Sequence, residues 1–197
     1  MIEFDLPFSS PPVLAVGAYL KNCVAAAHGG RAVVSKARND LQTPSDIRQF
    51  KADLQGMMVW LGVPAHLIAH DLHPDFPNTR HAQSLGLPTL AVQHHHAHVA
   101  AVAAEHGVTE PVIGLALDGF GLGPNDEAWG GELLKVDGAR YDRLGQLQPL
   151  AQPGGDVAAR QPWRMAASVL HELGRGDEIE KRFDDQPGAA TVGQMLA

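Results

Sequence analysis

The segment HLIAHDLHPDFPNTRHAQSLGLPTLAVQHHHAHVA, residues 66–100, holds the alternation of elements that decides the fold. Two short apolar runs at 66–70 and 89–92 flank a helical stretch at 78–85, which predicts a β-α-β unit. A second helix opens at the histidines and continues to about Glu105. The segment therefore predicts an α/β protein, with a sheet that helices cover.

The region before this unit predicts three strands and one helix. Glycines separate apolar runs at 13–16, 23–27 and 31–35, a pattern typical of three antiparallel strands joined by turns. Thr43 followed by Pro44 marks a helix start, with Thr43 as N-cap. The helix that follows carries one apolar stripe, formed by Ile47, Phe50, Leu54, Met57 and Leu61.

The region after the unit predicts a further sheet and a helical tail. An apolar run at 112–117 indicates a buried strand, and the glycine-rich stretch 119–126 indicates a loop. Asp137 and Gly138 form a hairpin signal. We predict strands at 128–135 and 141–147 and one helical segment at 160–182.

Composition limits the classes of function. The formal net charge is −7 and no run of lysine or arginine occurs, which argues against nucleic-acid binding. No apolar stretch reaches roughly 18 residues, so we expect no membrane span and a cytoplasmic location. Cys23 is the single cysteine and is interpreted as a small buried apolar residue. Any metal must therefore be held by histidine and carboxylate.

His94 and His98 are the strongest candidates for metal ligands. They are four residues apart and so lie on one face of the predicted helix, where two imidazoles can share one cation. The residues between them, 95–97, include no glutamate, which disfavours the zinc peptidase mechanism. A chance pair of helix histidines remains the alternative, and His95 and His96 are expected to be solvated if they have no role.

Asp118 is the candidate for a third ligand. It follows the predicted strand at 112–117 and precedes a glycine-rich loop, a usual position for ligand-facing residues in α/β sheets. The local sequence equally fits a loop cap formed by an Asp-Gly turn.

Three glycine-rich segments and one polar segment are ambiguous. The glycines at 119–123 and at Gly130–Gly131 permit close approach of a phosphate or nucleotide, but neither segment matches a dinucleotide-binding or Walker pattern. Gly154-Gly155-Asp156 permits contact with a ribose or phosphate. The local sequence favours simple turns for the first two segments and a loop before a solvated basic face for the third. The polar run 70–75 fits either a second polar site or an exposed charged loop.

Seven motifs occur in order along the chain: LAVGAYLKN (14–22), HDLHPDF (70–76), VQHHHAHVA (92–100), ALDGFGLG (116–123), WGGELL (129–134), PGGD (153–156) and QPWRMA (161–166). Together they resemble the carbamoyltransferase HypF family of nickel-iron hydrogenase maturation. The sequence departs from the family where SKARNDL (35–41) replaces SPHIGDL and where Phe120 replaces a common threonine. These departures bear on local substrate contacts.

The resemblance implies a fold of the actin-like ATPase, sugar kinase and Hsp70 type, with a mixed sheet and flanking helices. It implies transfer of carbamoyl from ATP-derived carbamoyl adenylate to the C-terminal cysteine of the partner HypE, for synthesis of the cyanide ligand. It also implies a divalent metal, iron or zinc, bound by His94, His98 and Asp118.

Further positions follow from the same resemblance. Lys21 and Asp118 would take part in catalysis, with Lys21 at phosphate, and Gly130, Gly131 and Asp156 would lie near the adenylate. The resemblance also implies a domain organisation, in which residues 1–197 form the first lobe of a Kae1-like domain. The second lobe and the acylphosphatase-like, zinc-finger and YrdC-like domains are expected to be absent. The alternatives are a non-catalytic metal-binding scaffold that docks HypE and a relative of sugar or acetate kinases.

Overall fold

A computed structural model describes all 197 residues, which divide into two compact units, 1–147 and 148–197. The first unit opens with a four-stranded sheet in the order β2-β1-β3-β4. Its strands are β1 (Ile2–Ala15), β2 (Ala25–Val34), β3 (Leu67–Asp71) and β4 (Thr89–Val92). β1 pairs antiparallel with β2 and parallel with β3, and β3 pairs parallel with β4. The sheet is therefore mixed.

The prediction of three short strands at the start of the chain was wrong. The runs at 23–27 and 31–35 belong largely to one strand, β2, which continues through Gly29 and Gly30. Gly29 takes a positive φ of 60° where the β1–β2 register shifts, so the glycine accommodates an irregularity inside the strand and not a turn between strands.

The first helix, α1 (Pro44–Leu61), forms as the sequence predicts. The Thr43 side chain accepts a hydrogen bond from the Asp46 amide, and the Asp46 side chain accepts one from the Thr43 amide, which completes a capping box. The apolar stripe packs on the four-stranded sheet, where Phe50, Leu54 and Met57 are buried against the strands.

Replacing Thr43 with alanine is expected to lower the free energy of unfolding by about 1 kcal/mol, because the first turn of α1 loses its side-chain acceptor. Thermal and urea unfolding of the purified chain measure this loss. Thr43→Ser keeps the hydroxyl and is the matched control. An equal loss in both variants would show that the hydroxyl is not what stabilises the helix start.

The β-α-β unit also forms as predicted. Helix α2 (Pro77–Ser84) connects β3 to β4, and α3 (His94–Glu105) begins two residues after β4 ends. Helix α3 contacts β1 of the first sheet and β5 (Val112–Ala116) and β8 (Glu132–Asp137) of a second sheet. The histidine helix is therefore held between the two sheets of this unit.

The second sheet is antiparallel, in the order β5-β8-β9, with β9 at Arg140–Gln146. The predicted hairpin forms with Gly138 at a φ of 57° in the turn. The predicted strand at 128–135 is divided by Gly130–Gly131, and its first part, β7 (Ala128–Trp129), pairs with a short β6 (Gly121–Leu122).

β5 was predicted to be fully buried, which is wrong. It is an edge strand whose side chains alternate between α3 and solvent, so Ile113 and Leu115 are more than half exposed. An uninterrupted apolar run does not by itself distinguish a strand buried on both faces from an edge strand covered on one.

The second unit is helical, as predicted for 160–182, and breaks divide the segment into several short helices. Pro162 precedes the main helix, and Gly174, at a φ of 70°, follows its end. The elements are α4 (Asp156–Arg160), α5 (Trp163–Glu172), a 3-10 turn (Gly176–Glu178), α6 (Ile179–Arg182) and α7 (Ala189–Leu196). None of the helices in either unit combines the length and the apolar character that crossing a bilayer requires.

Candidate metal centre

The three predicted ligands, His94, His98 and Asp118, converge. His94 is the first residue of α3, His98 lies one turn further on, and Asp118 lies two residues beyond the end of β5. Nε2 of His94 is 2.8 Å from Oδ2 of Asp118 and 3.2 Å from Nε2 of His98. The remaining distance, from Nε2 of His98 to Oδ2 of Asp118, is 3.6 Å.

These three atoms fit a single cation. A circle through a triangle with sides of 2.8, 3.2 and 3.6 Å has a radius of about 1.9 Å. Metal–ligand bonds to histidine nitrogen and carboxylate oxygen are roughly 2.0–2.2 Å long, so one ion can reach all three atoms. The His98 and Asp118 side chains are 57% and 41% exposed, so solvent or substrate has access to the remaining coordination positions.

The hydrogen bond on the other ring nitrogen of His94 is also typical of a metal-binding histidine. Nδ1 of His94 donates to Oδ2 of Asp71 at 2.7 Å, and metal-binding histidines characteristically donate their other ring N–H to a carboxylate. The pKa of His94 is raised, first by this hydrogen bond and then by the charges of Asp71 and Asp118, which outweigh partial burial. In the absence of a cation, two carboxylates favour the protonated ring.

Asp71 was missed as part of this site. The run 70–75 was interpreted as a separate polar site or an exposed loop, but Asp71 is 8% exposed and contacts His94 directly. The signal lay in the topology: Asp71 ends a strand that pairs with β4, and β4 leads into the histidine helix.

The N-terminus of α3 is fixed by Gln93, its N-cap. Oε1 of Gln93 accepts from the His96 amide at 2.9 Å, and Nε2 donates to the Leu122 carbonyl at 3.3 Å. The same nitrogen lies 3.1 Å from Nδ1 of His95. One side chain thus joins the start of the helix to the loop that follows Asp118.

Gly121 brings that loop into contact with the helix. A Cβ at this position would lie 2.8 Å from Cβ of His94 and 2.8 Å from Cε1 of His95, which is closer than Cβ atoms approach non-bonded atoms in proteins. Glycine is therefore required at 121 for the Asp118 loop to reach the helix.

His95 and His96 are buried, so the expectation that they are solvated was wrong. His95 packs near Trp129 and burial lowers its pKa. Nε2 of His96 lies 2.9 Å from the Gly138 carbonyl, and its ring packs against Tyr141. His96 therefore anchors α3 to the β8–β9 hairpin of the second sheet, and His95 packs toward β7.

Gly130 and Gly131 lie directly beneath Asp118. The Gly131 amide donates to the Asp118 carbonyl at 3.0 Å, and Gly131 takes a φ of 69°. A Cβ on Gly130 would lie 2.7 Å from the Gly119 carbonyl oxygen. Glycine is therefore needed at these positions because their backbone lies close to that of Asp118 and Gly119. The contact of Gly130 and Gly131 with adenylate stays a prediction.

Lys21 is not part of the histidine cluster, and Asp156 belongs to the second unit. Lys21 lies in the β1–β2 connection at a φ of 45°, where its amide donates to Asp40 and its side chain lines an open cavity of about 360 Å³. Arg38 and Thr43 line the same cavity, and none of the three candidate ligands does. Asp156 is exposed at the start of α4 in the second unit.

Comparison with known families supplies the assignment. The family model described as the HypF Kae1-like domain matches residues 8–105, and the model described as the second subdomain of the carbamoyltransferase Kae1-like domain matches residues 114–197. The chain belongs to the HypF carbamoyltransferase family. Its fold is accordingly of the actin-like ATPase type, as predicted. The assignment of all 197 residues to a first lobe stays a prediction.

Individual relatives agree with this assignment. The chain is 54% identical to carbamoyltransferase HypF2 of Cupriavidus necator over 96% of the chain and 24% of the relative. It is 48% identical to a HypF homolog of the same organism over 94% of the chain and 49% of the relative. A crystal structure of full-length HypF in a phosphate- and nucleotide-bound form superposes with a TM-score of 0.86, at 30% identity, over 98% of the chain and 26% of that protein. The chain thus spans about a quarter to about half of the length of these relatives, and the two from Cupriavidus necator are named carbamoyltransferases.

Proposed function

We propose that this chain provides the metal-binding part of a HypF carbamoyltransferase site, in which carbamoyl passes from ATP-derived carbamoyl adenylate to the C-terminal cysteine of HypE. The observation that supports the proposal is the convergence of His94, His98 and Asp118 on one point within metal-bonding distance. Family membership supplies the reaction class.

A divalent ion, iron or zinc, held by these three side chains would supply a Lewis acid that stabilises negative charge on the carbamoyl oxygen. Two histidines and a carboxylate suit either metal. The chain's own contribution is to hold the three donors in fixed positions, with His94 partly buried at the helix start and with His98 and Asp118 open to substrate.

The transfer itself needs a thiolate from the partner. Its sulfur forms a bond to the carbamoyl carbon as the bond from that carbon to the phosphate oxygen breaks, and AMP leaves with the electron pair. The thiol proton passes to solvent before attack, so that the attacking group is a thiolate and the products are the thiocarbamate and AMP. Cys23 does not suit this role, because burial raises the pKa of its thiol and so disfavours the reactive thiolate.

The remaining family-derived roles belong to the same proposal. Lys21 would bind a phosphate, Gly130, Gly131 and Asp156 would contact the adenylate, and a second lobe would complete the cleft. The reaction would take place in the cytoplasm.

Metal binding is the first test. Protein purified without oxygen is expected to contain about one iron or zinc per chain by elemental analysis, and His94→Ala/His98→Ala is expected to contain none. The matched control is His28→Ala/His106→Ala, which removes two exposed histidines outside the cluster. Equal metal content in both double variants would defeat the proposal.

Carbamoyl transfer is the second test. Metal-loaded chain is mixed with synthetic carbamoyl adenylate and HypE, and the mass of the C-terminal HypE peptide reports thiocarbamate. Transfer above the rate without the chain, lost in the His94→Ala/His98→Ala variant, is expected. Stable HypE binding without transfer would instead support the non-catalytic scaffold.

A further inference from the structure

Asp71 is a buried carboxylate whose two oxygens have separate partners. Oδ1 accepts from the His73 amide at 2.8 Å, and Oδ2 accepts from Nδ1 of His94 at 2.7 Å. The neighbouring His70 ring is directed to the Asp71 carbonyl, at 2.7 Å, and does not compete for the carboxylate. Only 5% of the Asp71 side chain is exposed.

The strand register explains why this carboxylate meets this histidine. Asp71 is paired with Val92 across the parallel β3–β4 ladder, and the Leu72 amide donates to the Val92 carbonyl at 3.0 Å. Two residues after Val92 the chain turns into α3 at His94. The end of β3 is therefore held beside the first residue of the histidine helix by backbone hydrogen bonds, independently of any metal.

We infer that Asp71 is a positioning residue that holds His94 in the tautomer with the proton on Nδ1, so that the lone pair of Nε2 faces His98 and Asp118. The inference rests on the proposed metal-binding function and extends it to a residue outside the ligand set. An ionised carboxylate accepts hydrogen bonds only, and each ring nitrogen of His94 has one within reach: Asp71 at Nδ1 and Asp118 at Nε2, 2.8 Å away. Because the Asp71 side chain is 5% exposed and that of Asp118 is 41% exposed, water weakens the bond to Asp118 more than the bond to Asp71, so Nδ1 keeps the proton and Nε2 is left for a cation. The carboxylate also increases the basicity of the ring, which strengthens its bond to a metal.

Asp71→Asn tests this inference because the side chain keeps its size while the acceptor that faces Nδ1 of His94 is replaced by a donor. The His73 amide still requires an acceptor, so the Asn oxygen takes the Oδ1 position and the Asn NH₂ group takes the Oδ2 position. That NH₂ group donates to Nδ1 of His94, which selects the tautomer with the proton on Nε2 and directs N–H at the cation position. The variant thus replaces the correct tautomer with the wrong one.

The readout is the protonation of the His94 ring nitrogens by ¹⁵N NMR of the metal-free chain, followed as the pH is raised until the ring carries a single proton. Zinc affinity is measured in parallel by competition with a chelator. We expect the proton on Nδ1 in the unmodified chain and on Nε2 in Asp71→Asn, with a fall in zinc affinity of roughly 10–100-fold. Asp75→Asn, which changes an exposed carboxylate paired with Arg80, is expected to alter neither.

The outcomes separate this inference from the proposed function. A proton on Nε2 of His94 in the unmodified chain would overturn the inference whether or not any variant folds. Unchanged tautomer and zinc affinity in a folded Asp71→Asn chain would also overturn it and leave the metal site standing. If the unmodified chain has the proton on Nδ1 but binds no zinc or iron, the proposed function fails while the tautomer assignment holds.

Discussion

Arg143→Met is expected to lower the free energy of unfolding by about 3 kcal/mol at neutral pH, because it leaves a buried carboxylate without its partner. Glu132 is fully buried within β8, and Arg143 donates to both of its oxygens, at 2.6 and 2.8 Å. The guanidinium also lies over the Trp129 ring, 4.2 Å from its centre. Methionine retains much of the apolar stem, so the loss reports mainly on charge and hydrogen bonding.

The pH dependence of stability is expected to reverse in this variant. Burial acts to raise the pKa of Glu132, but the hydrogen bonds from Arg143 and from the Gly130 amide outweigh it and hold the pKa below its usual value. The unmodified chain therefore gains stability from Glu132 above the unfolded-state pKa and loses it as the pH falls through the folded-state pKa. Without Arg143, burial raises the pKa of Glu132, so lowering the pH toward 4 restores stability.

Urea unfolding at pH 7 and at mildly acidic pH measures both effects. Arg140→Met is the matched control in the same strand, because Arg140 is 87% exposed and its pairing with Asp137 is loose, at 3.5 Å. Its stability is expected to change little and to follow the pH trend of the unmodified chain. Similar losses in both variants would contradict a special role for the buried pair.

Sequence signals correctly predicted the elements that are stabilised by interactions between residues near one another in the chain. The capping residues around Thr43 placed the start of α1, and the bounds 89–92 matched β4. The pairing of His94 with His98 followed from helical periodicity alone. These predictions succeeded because the interactions that enforce them lie within a few residues along the chain.

The features that sequence reasoning missed depend on pairing between distant segments. Continuity of β2 through Gly29 depends on its register with β1, and the role of Asp71 depends on the register of β3 with β4. The exposure of β5 depends on its being at the edge of its sheet. The hydrophobic pattern indicates which residues form strands, but which strands pair and in which register is determined by the tertiary structure.

Gly130→Ala is expected to disturb the candidate metal centre without changing a ligand. The added Cβ would lie 2.7 Å from the Gly119 carbonyl oxygen and 3.4 Å from the Asp118 carbonyl oxygen, so the backbone at the end of β5 must shift. A metal site tolerates ligand displacements of only about 0.5 Å. We expect zinc affinity to fall at least about tenfold and the free energy of unfolding to fall by about 1–3 kcal/mol from overpacking.

Gly119→Ala provides the matched control, because it adds the same methyl group on the other side of this contact. Gly119 adjoins Asp118 in sequence, yet a Cβ there would meet no atom within 4 Å, and its φ lies outside the left-handed region. Zinc competition and urea unfolding of both variants therefore compare a crowded glycine with an uncrowded one at the same site. If Gly119→Ala weakened zinc binding as much as Gly130→Ala, backbone flexibility near Asp118 would matter more than the close approach of the two segments. A selective effect of Gly130→Ala would mean that the Gly130–Gly131 turn sets the position of Asp118, which is a structural reason for glycine there that needs no nucleotide contact.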